Sequence, residues 1–303
     1  MRVKLTLTPV SKDVVQPVSY NYFLTSLIYR FISNSSQDYS RFLHDEGYRL
    51  GESKKGFKLF TYSMLHGEEV RVNGNTIRFG EGRVTWQISS PVDAFLQHLI
   101  DGVFSEGQGI RIGTEGDEVM FLIERVETLP RPEFKGMMRF TCLSPITVSR
   151  VSGIPTLEKR GRESHIPTLE KGGEGGFDEI SDDVHLHCHY LRPWEDGFSE
   201  AIKSNLVKKY KLVTGNELAD ADFRIKIDTE YMNKKNGKVT KNINFKGTNI
   251  IGFMAPFEVT GSPELIEIGY EAGFGEKGSM GFGMVKEVME KAPGFIYNGE
   301  GSE

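Results

Sequence analysis

The chain has 303 residues, of which 38% are hydrophobic and 26% are charged, a balance that predicts a soluble globular protein of two ordinary domains. The apolar runs are too short to span a membrane, and the alternating segment at residues 1–8 lacks the core of a signal peptide. We therefore expect a cytoplasmic protein without a membrane partner. Two cysteines, Cys142 and Cys188, exclude a disulfide framework.

The first half of the sequence predicts a βαββαβ unit. Residues 2–8 alternate as in a strand, and apolar residues between positions 24 and 32 recur at helical spacing. Residues 57–64 resemble a strand, a hairpin is expected around Asn73-Gly74, and residues 92–101 resemble a second helix. With strands near 119–124 and 138–143, this unit forms an expected N-terminal domain over residues 1–150.

The second half repeats this order. Its predicted elements are a strand at 184–190, a helix at 194–210, strands at 223–230, 239–245 and 250–259, a short helix, a glycine loop and a last strand at 282–288. We expect a C-terminal domain over residues 184–292 and a tail over residues 293–303. The predicted fold class is α+β, with tandem ferredoxin-like (RRM-like βαββαβ) domains.

Residues 151–183 connect the two units and are polar and glycine-rich. A six-residue segment occurs twice, at positions 154–159 and 166–171. A flexible linker or a long hairpin extended by local duplication explains this pattern. A hairpin that grips RNA is the alternative interpretation.

The densest glycine cluster lies at residues 269–284 and contains two Phe, one Lys and one Ser. Such a loop can bring backbone N–H groups close to an anion and offer aromatic rings to a base. The residues expected to bind a phosphate backbone are Gly273, Gly275, Lys277, Ser279, Gly281 and Gly283. A dinucleotide-binding motif is excluded because no strand precedes the glycines, and a P-loop is excluded because Lys277 is followed by Gly278.

A basic segment precedes this loop. Between residues 203 and 246 there are 11 Lys or Arg against five acidic residues, although the formal net charge of the whole chain is −5. The ordinary interpretation is a solvated surface. Together with the glycine loop, the segment predicts an RNA-facing patch that includes Lys234, Lys235 and Lys238.

The glycine loop resembles the signature of the CRISPR-associated repeat-processing endoribonucleases, which cut pre-crRNA and belong to a superfamily of repeat-associated RNA-binding proteins. Segments at residues 27–29, 42–45, 58–63 and 143–146 resemble other landmarks of that family, in the same order. The resemblance covers most of residues 1–290. It implies ferredoxin-like folds and cleavage of RNA without a metal or cofactor.

Cleavage of RNA by its own 2′-hydroxyl needs a base, an acid and a cation at the phosphate. His44 follows a helix-like segment and is the best candidate for proton transfer, although a histidine there is ordinarily a surface or capping residue. The resemblance places His44 at the catalytic histidine of the family. It also implies that Tyr29 orients the reaction or shares proton transfer, and that Lys58 neutralises the phosphate. The sequence departs from the family in a longer segment at residues 45–57, which makes Lys54 and Lys55 alternative cations.

Three histidines, His185, His187 and His189, alternate on one predicted strand after Asp182 and Asp183. Such a strand can hold a metal, so a metal-dependent nuclease is an alternative. The preferred interpretation is a polar strand face on which one or two histidines contact RNA, with no metal.

The sequence therefore predicts an endoribonuclease that binds CRISPR repeat RNA and cuts once, leaving a 2′,3′-cyclic phosphate or 3′-phosphate and a 5′-hydroxyl. A non-catalytic RNA-binding subunit of a CRISPR effector complex is the alternative function. Effector complex proteins are further candidate partners, and a homodimer is among the oligomeric states that the sequence leaves open.

Overall fold

The computed structural model describes residues 1–10, 14–17, 19–53, 56–74, 76–80, 82–113, 118–151 and 188–288. In chain order the first elements are β1 Arg2–Pro9, β2 Val14–Pro17, α1 Asn21–Ser35, α2 Gln37–Arg41, a π-helical turn Phe42–Glu46, β3 Thr61–Tyr62, β4 His66–Gly67, β5 Val70–Asn73, β6 Thr76–Phe79, β7 Val84–Ser89, α3 Asp93–Glu106, β8 Gly109–Ile112 and β9 Val119–Leu129. They are followed by β10 Met137–Cys142, β11 Ser149–Val151, β12 Cys188–Tyr190, α4 Phe198–Thr214, β13 Phe223–Ile227, α5 Thr229–Lys234, β14 Thr240–Phe245, β15 Thr248–Phe253, β16 Phe257–Gly261, α6 Pro263–Ala272, a 3₁₀ turn Gly278–Met280 and β17 Val285–Glu287.

The first domain is a sheet in the order β3-β7-β1-β9-β8, with β4 also paired to β7. Strand β1 lies between β7 and β9, and Leu5 stands opposite Trp86 on one side and Val126 on the other. Side chains of this sheet form one core with α1 and α3, including Phe31 and Phe95. The inward-facing apolar residues of β1 thus explain why both helices cover the same face.

The predicted hairpin is confirmed by the pairing of β5 with β6, in which Asn73 stands opposite Thr76. Strand β2 pairs with the other edge of β6 to complete a three-stranded sheet. The turn uses Gly74, whose φ of +56° is in the left-handed region that favours glycine.

The second domain has the strand order β13-β16-β10-β17. Helices α4 and α6 share a core with this sheet, which includes Phe140, Phe198, Phe257 and Leu265. Taken in chain order, β10, α4, β13, β16, α6 and β17 form a second βαββαβ unit. The predicted tandem ferredoxin-like fold is therefore confirmed.

The structure corrects the predicted domain boundary at residue 150. Strand β10 was assigned to the first domain, but it is the central first strand of the second, paired with both β16 and β17. The segment predicted as that first strand, residues 184–190, contributes β12, which pairs with β11 outside both main sheets. The choice between two alternating strands depends on distant partners, which local periodicity does not reveal.

The predicted strand at residues 250–259 is also divided. Strand β15 ends at Phe253 and β16 begins at Phe257, with Pro256, which has no backbone N–H to donate, between them. The break lets β14 and β15 leave the sheet as a separate hairpin, whose Ile243 and Ile250 are fully buried against Phe282. Similarly, β13 ends early because Asp228 caps α5 by accepting a hydrogen bond from the Tyr231 backbone.

None of the helices in the described ranges is long and apolar enough to cross a membrane. The predicted linker or hairpin, with its duplicated hexapeptide, falls almost entirely outside the described residues, as does the predicted tail.

Candidate active site

His44 lies on the π-helical turn at the end of α2, and its side chain is 74% exposed. The Nδ1 atom lies 2.7 Å from Oδ1 of Asp45. Because an ionised carboxylate can only accept a hydrogen bond, Nδ1 is the donor of this pair and Nε2 is the ring nitrogen left for proton transfer. His44 is thus oriented as a proton acceptor toward solvent.

The longer segment after His44 returns the chain to Lys58. Tyr48 and Phe57 close the segment with two backbone hydrogen bonds of 2.8 and 2.7 Å. Lys58 Nζ then donates a hydrogen bond to the backbone oxygen of His44 at 2.8 Å. Lys58 therefore lies beside His44 despite the longer segment, whereas Lys54 and Lys55 lie outside the described residues.

Two glycines make this closure sterically feasible. Gly47 has a φ of +67°, and a Cβ on it would lie 2.7 Å from the oxygen of Phe57. A Cβ on Gly56 would lie 1.8 Å from the oxygen of Glu46. Any larger residue would push the two ends of the segment apart and separate Lys58 from His44.

Tyr29 on α1 completes this group, because its ring centroid lies 5.7 Å from that of His44 in an edge-on arrangement. Burial raises the pKa of Tyr29 to about 12, so its hydroxyl stays protonated at neutral pH. Burial lowers the pKa of Lys58, an effect opposed by the nearby Asp45 carboxylate. The structure thus brings together the three predicted catalytic residues.

The glycine loop differs from the expected open phosphate cradle. Gly273, Gly275, Gly281 and Gly283 are all buried. A Cβ on Gly275 would lie 2.4 Å from the oxygen of Thr147. Protein atoms therefore surround these glycines and leave no room for a side chain, and the RNA binding expected of them stays a prediction.

The aromatic residues of the loop also have a structural role. Phe274 and Phe282 are fully buried, so their rings are not available to stack on a base as the sequence suggested. Phe274 packs within the core of the second domain, and Phe282 packs against the β14–β15 hairpin. Exposure within the loop is confined to residues 276–280, which are partly accessible and include Lys277 and Ser279.

Hydrogen bonds tie the loop to the helix that carries Tyr29. Asn21 Nδ2 donates to the oxygen of Met280 at 3.1 Å, and Thr25 Oγ1 donates to the oxygen of Ser279 at 3.1 Å. From strand β3, Thr61 Oγ1 donates to the oxygen of Phe282 at 2.8 Å. The loop is therefore a connection between the domains that fixes α1 relative to the second sheet.

On the other side of the loop, Lys209 of α4 is 5% exposed. Its ammonium donates to the oxygens of Ala272, Gly273 and Gly275 at 3.2, 2.6 and 2.8 Å. Asn21, Thr25 and Lys209 are the supporting residues that the sequence interpretation missed. No local sequence motif marks these residues, because each donates a hydrogen bond to a segment more than 60 positions away.

A cavity of about 150 Å³ joins the two predicted groups. Lys58, Lys277 and Ser279 all line this cavity. The Lys277 ammonium lies 5.9 Å above the ring centroid of Tyr190. The cations at this cavity belong to both domains, and Lys58 links it to His44.

Lys234, Lys235 and Lys238 lie apart from this cavity, at the end of α5 and in the following turn. Lys234 is 77% exposed and lies 4.0 Å from Glu230, while the Lys235 ammonium lies 5.8 Å above the ring centroid of Tyr231. They form an outer basic surface.

Other members of the basic segment face the first domain. The Lys246 ammonium lies 4.3 Å above the ring centroid of Tyr22, and Lys241 Nζ lies 3.6 Å from Sδ of Met64. The predicted single patch is thus divided between an outer surface and an interdomain contact.

Of the histidine strand, only His189 is described. Its Nε2 lies 2.8 Å from Oε1 of Glu195. Within the described ranges, no three His, Cys, Asp or Glu side chains are grouped so as to hold a metal. His185, His187, Asp182 and Asp183 lie outside those ranges, so the metal alternative stays untested.

The fold and site define a class of protein with two ferredoxin-like domains, in which a His–Tyr–Lys group adjoins a buried glycine loop. The family model for CRISPR-associated protein Cas6, N-terminal, matches residues 15–127, and that for CRISPR associated protein Cas6, C-terminal, matches residues 129–287. The chain therefore belongs to the Cas6 family. The boundary between these matches agrees with β10 as part of the second domain.

Individual proteins support this assignment over nearly the whole chain. CRISPR-associated endoribonuclease Cas6 1 from Methanocaldococcus jannaschii is 28% identical, with 96% of this chain and 94% of the relative covered. CRISPR-associated endoribonuclease Cas6 from Pyrococcus furiosus is 27% identical, with 94% and 89% covered. The structure of a Cas6-related gene product from Pyrococcus furiosus superimposes with a TM-score of 0.73 at 25% identity, covering 96% of this chain and 99% of that one.

Proposed function

We propose that this chain is an endoribonuclease that processes CRISPR precursor RNA by cutting within the repeat. Two relatives that align over most of their length are named CRISPR-associated endoribonucleases. The observation that carries the proposal is the convergence of His44, Tyr29 and Lys58 beside a cavity that contains Lys277. These groups supply the base, hydroxyl and positive charge that RNA cleavage needs.

In the proposed reaction, the Nε2 lone pair of His44 takes the proton of the 2′-hydroxyl at the scissile nucleotide. The 2′-oxygen forms a bond to phosphorus while the bond from phosphorus to the 5′-oxygen breaks. The 5′-oxygen leaves with the electron pair of the broken bond and takes up a proton. The products are a 2′,3′-cyclic phosphate, which can open to a 3′-phosphate, and a 5′-hydroxyl.

The remaining groups stabilise this reaction. Asp45 stabilises the tautomer of His44 in which Nδ1 is the hydrogen-bond donor. The Tyr29 hydroxyl, kept protonated by burial, donates toward the leaving oxygen directly or through water. The Lys58 ammonium opposes the negative charge that accumulates on the phosphate. No step requires a metal ion.

We assign RNA binding to the accessible part of the glycine loop. Lys277 pairs with a phosphate and Ser279 provides a hydrogen bond, while Lys234, Lys235 and Lys238 attract the RNA backbone at the outer surface. Gly273, Gly275, Gly281 and Gly283 act through the shape of the loop. Association with effector complex proteins or with a second copy stays a prediction.

The purified protein should be incubated with end-labelled repeat RNA in excess chelator, with an added-Mg²⁺ reaction as control. We expect one cut with equal rates in the two reactions, and a 5′-hydroxyl on the downstream product. Tight binding without cleavage would support the non-catalytic subunit instead. Cleavage that chelator abolishes and Mg²⁺ or Zn²⁺ restores would support a metal nuclease.

A further inference from the structure

Asn205 on α4 lines the same cavity as Lys58 and Lys277. It is 9% exposed, and its Oδ1 atom is buried without a hydrogen-bond partner among the described residues. One turn later on the same helix, the Lys209 ammonium donates hydrogen bonds to backbone oxygens of the glycine loop. Asn205 is therefore fixed on a rigid helix directly beneath the loop.

A buried acceptor that lacks a donor destabilises a protein, because it gives up its hydrogen bonds to water on folding and gains none in return. An apolar residue on this buried face of α4 would avoid that loss, as Ile202 and Leu206 do on neighbouring positions. The arrangement is explained if a ligand supplies the donor. Because an amide oxygen only accepts, the group that meets it must carry an N–H or O–H.

The cavity is large enough for more than a solvent molecule. Its volume is about 150 Å³, whereas one water needs about 10–15 Å³ by the same kind of measure. Three lysines line the cavity, of which Lys209 is hydrogen-bonded to the loop. The one carboxylate in the lining, that of Glu276, accepts a hydrogen bond from Ser149 Oγ at 2.7 Å. A polar, positively charged cavity of this size suits a nucleotide.

We propose that this cavity is a specificity subsite in which Asn205 Oδ1 accepts a hydrogen bond from the exocyclic amino group of a base next to the scissile phosphate. The inference rests on the proposed function, because Lys58 is what places the cavity beside the cut. Adenine, cytosine and guanine carry such an amino group, and uracil does not. Phosphate contacts from Lys277 would position the nucleotide, and Asn205 would select it.

The test is a double-mutant cycle between protein and RNA. Four nucleotides are tested, two on each side of the cut. Each is replaced in turn by an analogue that lacks the exocyclic amino group. Where the natural base has no such group, an abasic residue replaces it. Dissociation constants and single-turnover rates are measured for the unmodified protein and Asn205→Leu. Ser204→Leu, an exposed neighbour on α4, is the matched control.

We expect one RNA position at which removal of the amino group weakens binding or slows cleavage about 10-fold with the unmodified protein, as for one base-specific contact. At that position Asn205→Leu should lose the discrimination, and Ser204→Leu should keep it. Asn205→Asp retains an acceptor and should restore the discrimination, even if its added charge weakens binding overall.

Independent effects of protein and RNA changes at all four positions would overturn the proposal, as would equal discrimination by Asn205→Leu and the unmodified protein. If Asn205→Leu does not fold, Asn205→Ala replaces it in the same cycle. Failure of the unmodified protein to cut the natural repeat would refute the proposed function separately. The binding arm of the cycle would still decide whether Asn205 reads a base.

Discussion

The ammonium of Lys58 donates a hydrogen bond to the backbone oxygen of His44, 14 positions earlier in the sequence, at 2.8 Å. This contact places a positive charge beside a histidine whose Nδ1 is already bound to Asp45. The ring of Tyr29 lies against the same histidine. His44, Lys58 and Tyr29, which are proposed to catalyse the reaction, therefore lie together just after the end of α2.

Replacing His44 with alanine should lower the single-turnover cleavage rate by about 100-fold or more, as expected when a proton-transfer group is lost. Affinity for repeat RNA should change little, because Lys277 and the outer lysines that are proposed to bind the RNA backbone stay in place. The control is His189→Ala, which removes the described member of the histidine strand. Normal cleavage by His44→Ala together with loss of cleavage by His189→Ala would place the site in the second domain.

The pH dependence of cleavage should show the loss of the Lys58 ammonium proton as a decline in rate at alkaline pH. Burial lowers its pKa, so the ammonium loses its proton at a lower pH than a free lysine does. The charged form assists the reaction, and the rate should therefore fall as pH rises through that lowered pKa. Lys58→Arg keeps its charge throughout this range and should move the alkaline decline upward, even if its maximal rate is lower. An identical alkaline decline in the arginine variant would exclude Lys58 as its source.

Gly281→Val should destabilise the protein. Its φ is +80°, and a Cβ would lie 2.5 Å from both Asn21 Nδ2 and Tyr62 Cε2. Left-handed strain alone costs about 1–2 kcal/mol, to which the clash adds. Gly215→Val is the control, since Gly215 has a φ of +74° but nothing within 4 Å of the Cβ position.

Thermal unfolding should therefore show a much larger decrease in Tm for Gly281→Val than for Gly215→Val. The same comparison applies to Gly275→Val, whose Cβ would meet the Thr147 oxygen. Equal melting temperatures accompanied by weaker RNA binding would restore the interpretation of the loop as a phosphate cradle.

Lys277→Ala should weaken RNA binding and reduce the slope of log affinity against log salt by about 0.7, the value for one phosphate contact on a single strand. Lys135→Ala serves as the comparison, because Lys135 is an exposed lysine that pairs with Glu133 and has no assigned role in RNA binding. An unchanged slope in Lys277→Ala would move the phosphate contact away from the cavity. In that case a variant with Lys234, Lys235 and Lys238 all changed to alanine should show the reduced slope instead.

The alternating and helical patterns were sufficient to predict two βαββαβ units, because burial of one face imposes the period on each element. The boundary between them was wrong, since the membership of β10 depends on its pairing with β16 and β17, far along the chain. The periodicity of residues 250–259 also did not predict the break near Pro256 that divides this segment into β15 and β16. Local sequence specifies periodicity well and long-range pairing poorly.

For the site, the resemblance placed His44, Tyr29 and Lys58, and the structure brings them together. The burial of the loop glycines was not predicted, because glycines look the same in sequence whether they face a ligand or another domain. The buried partners of the loop, among them Asn21 and Thr147, are distant in the chain. Asn205 carries no sequence signal, because an asparagine within a helix becomes informative only when its unpartnered oxygen is located.

The most direct test of the account replaces the 2′-hydroxyl at the scissile nucleotide with hydrogen and measures cleavage in chelator. If the 2′-oxygen is the nucleophile that His44 activates, the deoxy RNA should bind with unchanged affinity and remain intact. The natural RNA should be cut to a 2′,3′-cyclic phosphate and a 5′-hydroxyl. Cleavage of the deoxy RNA at the same position would contradict the central claim.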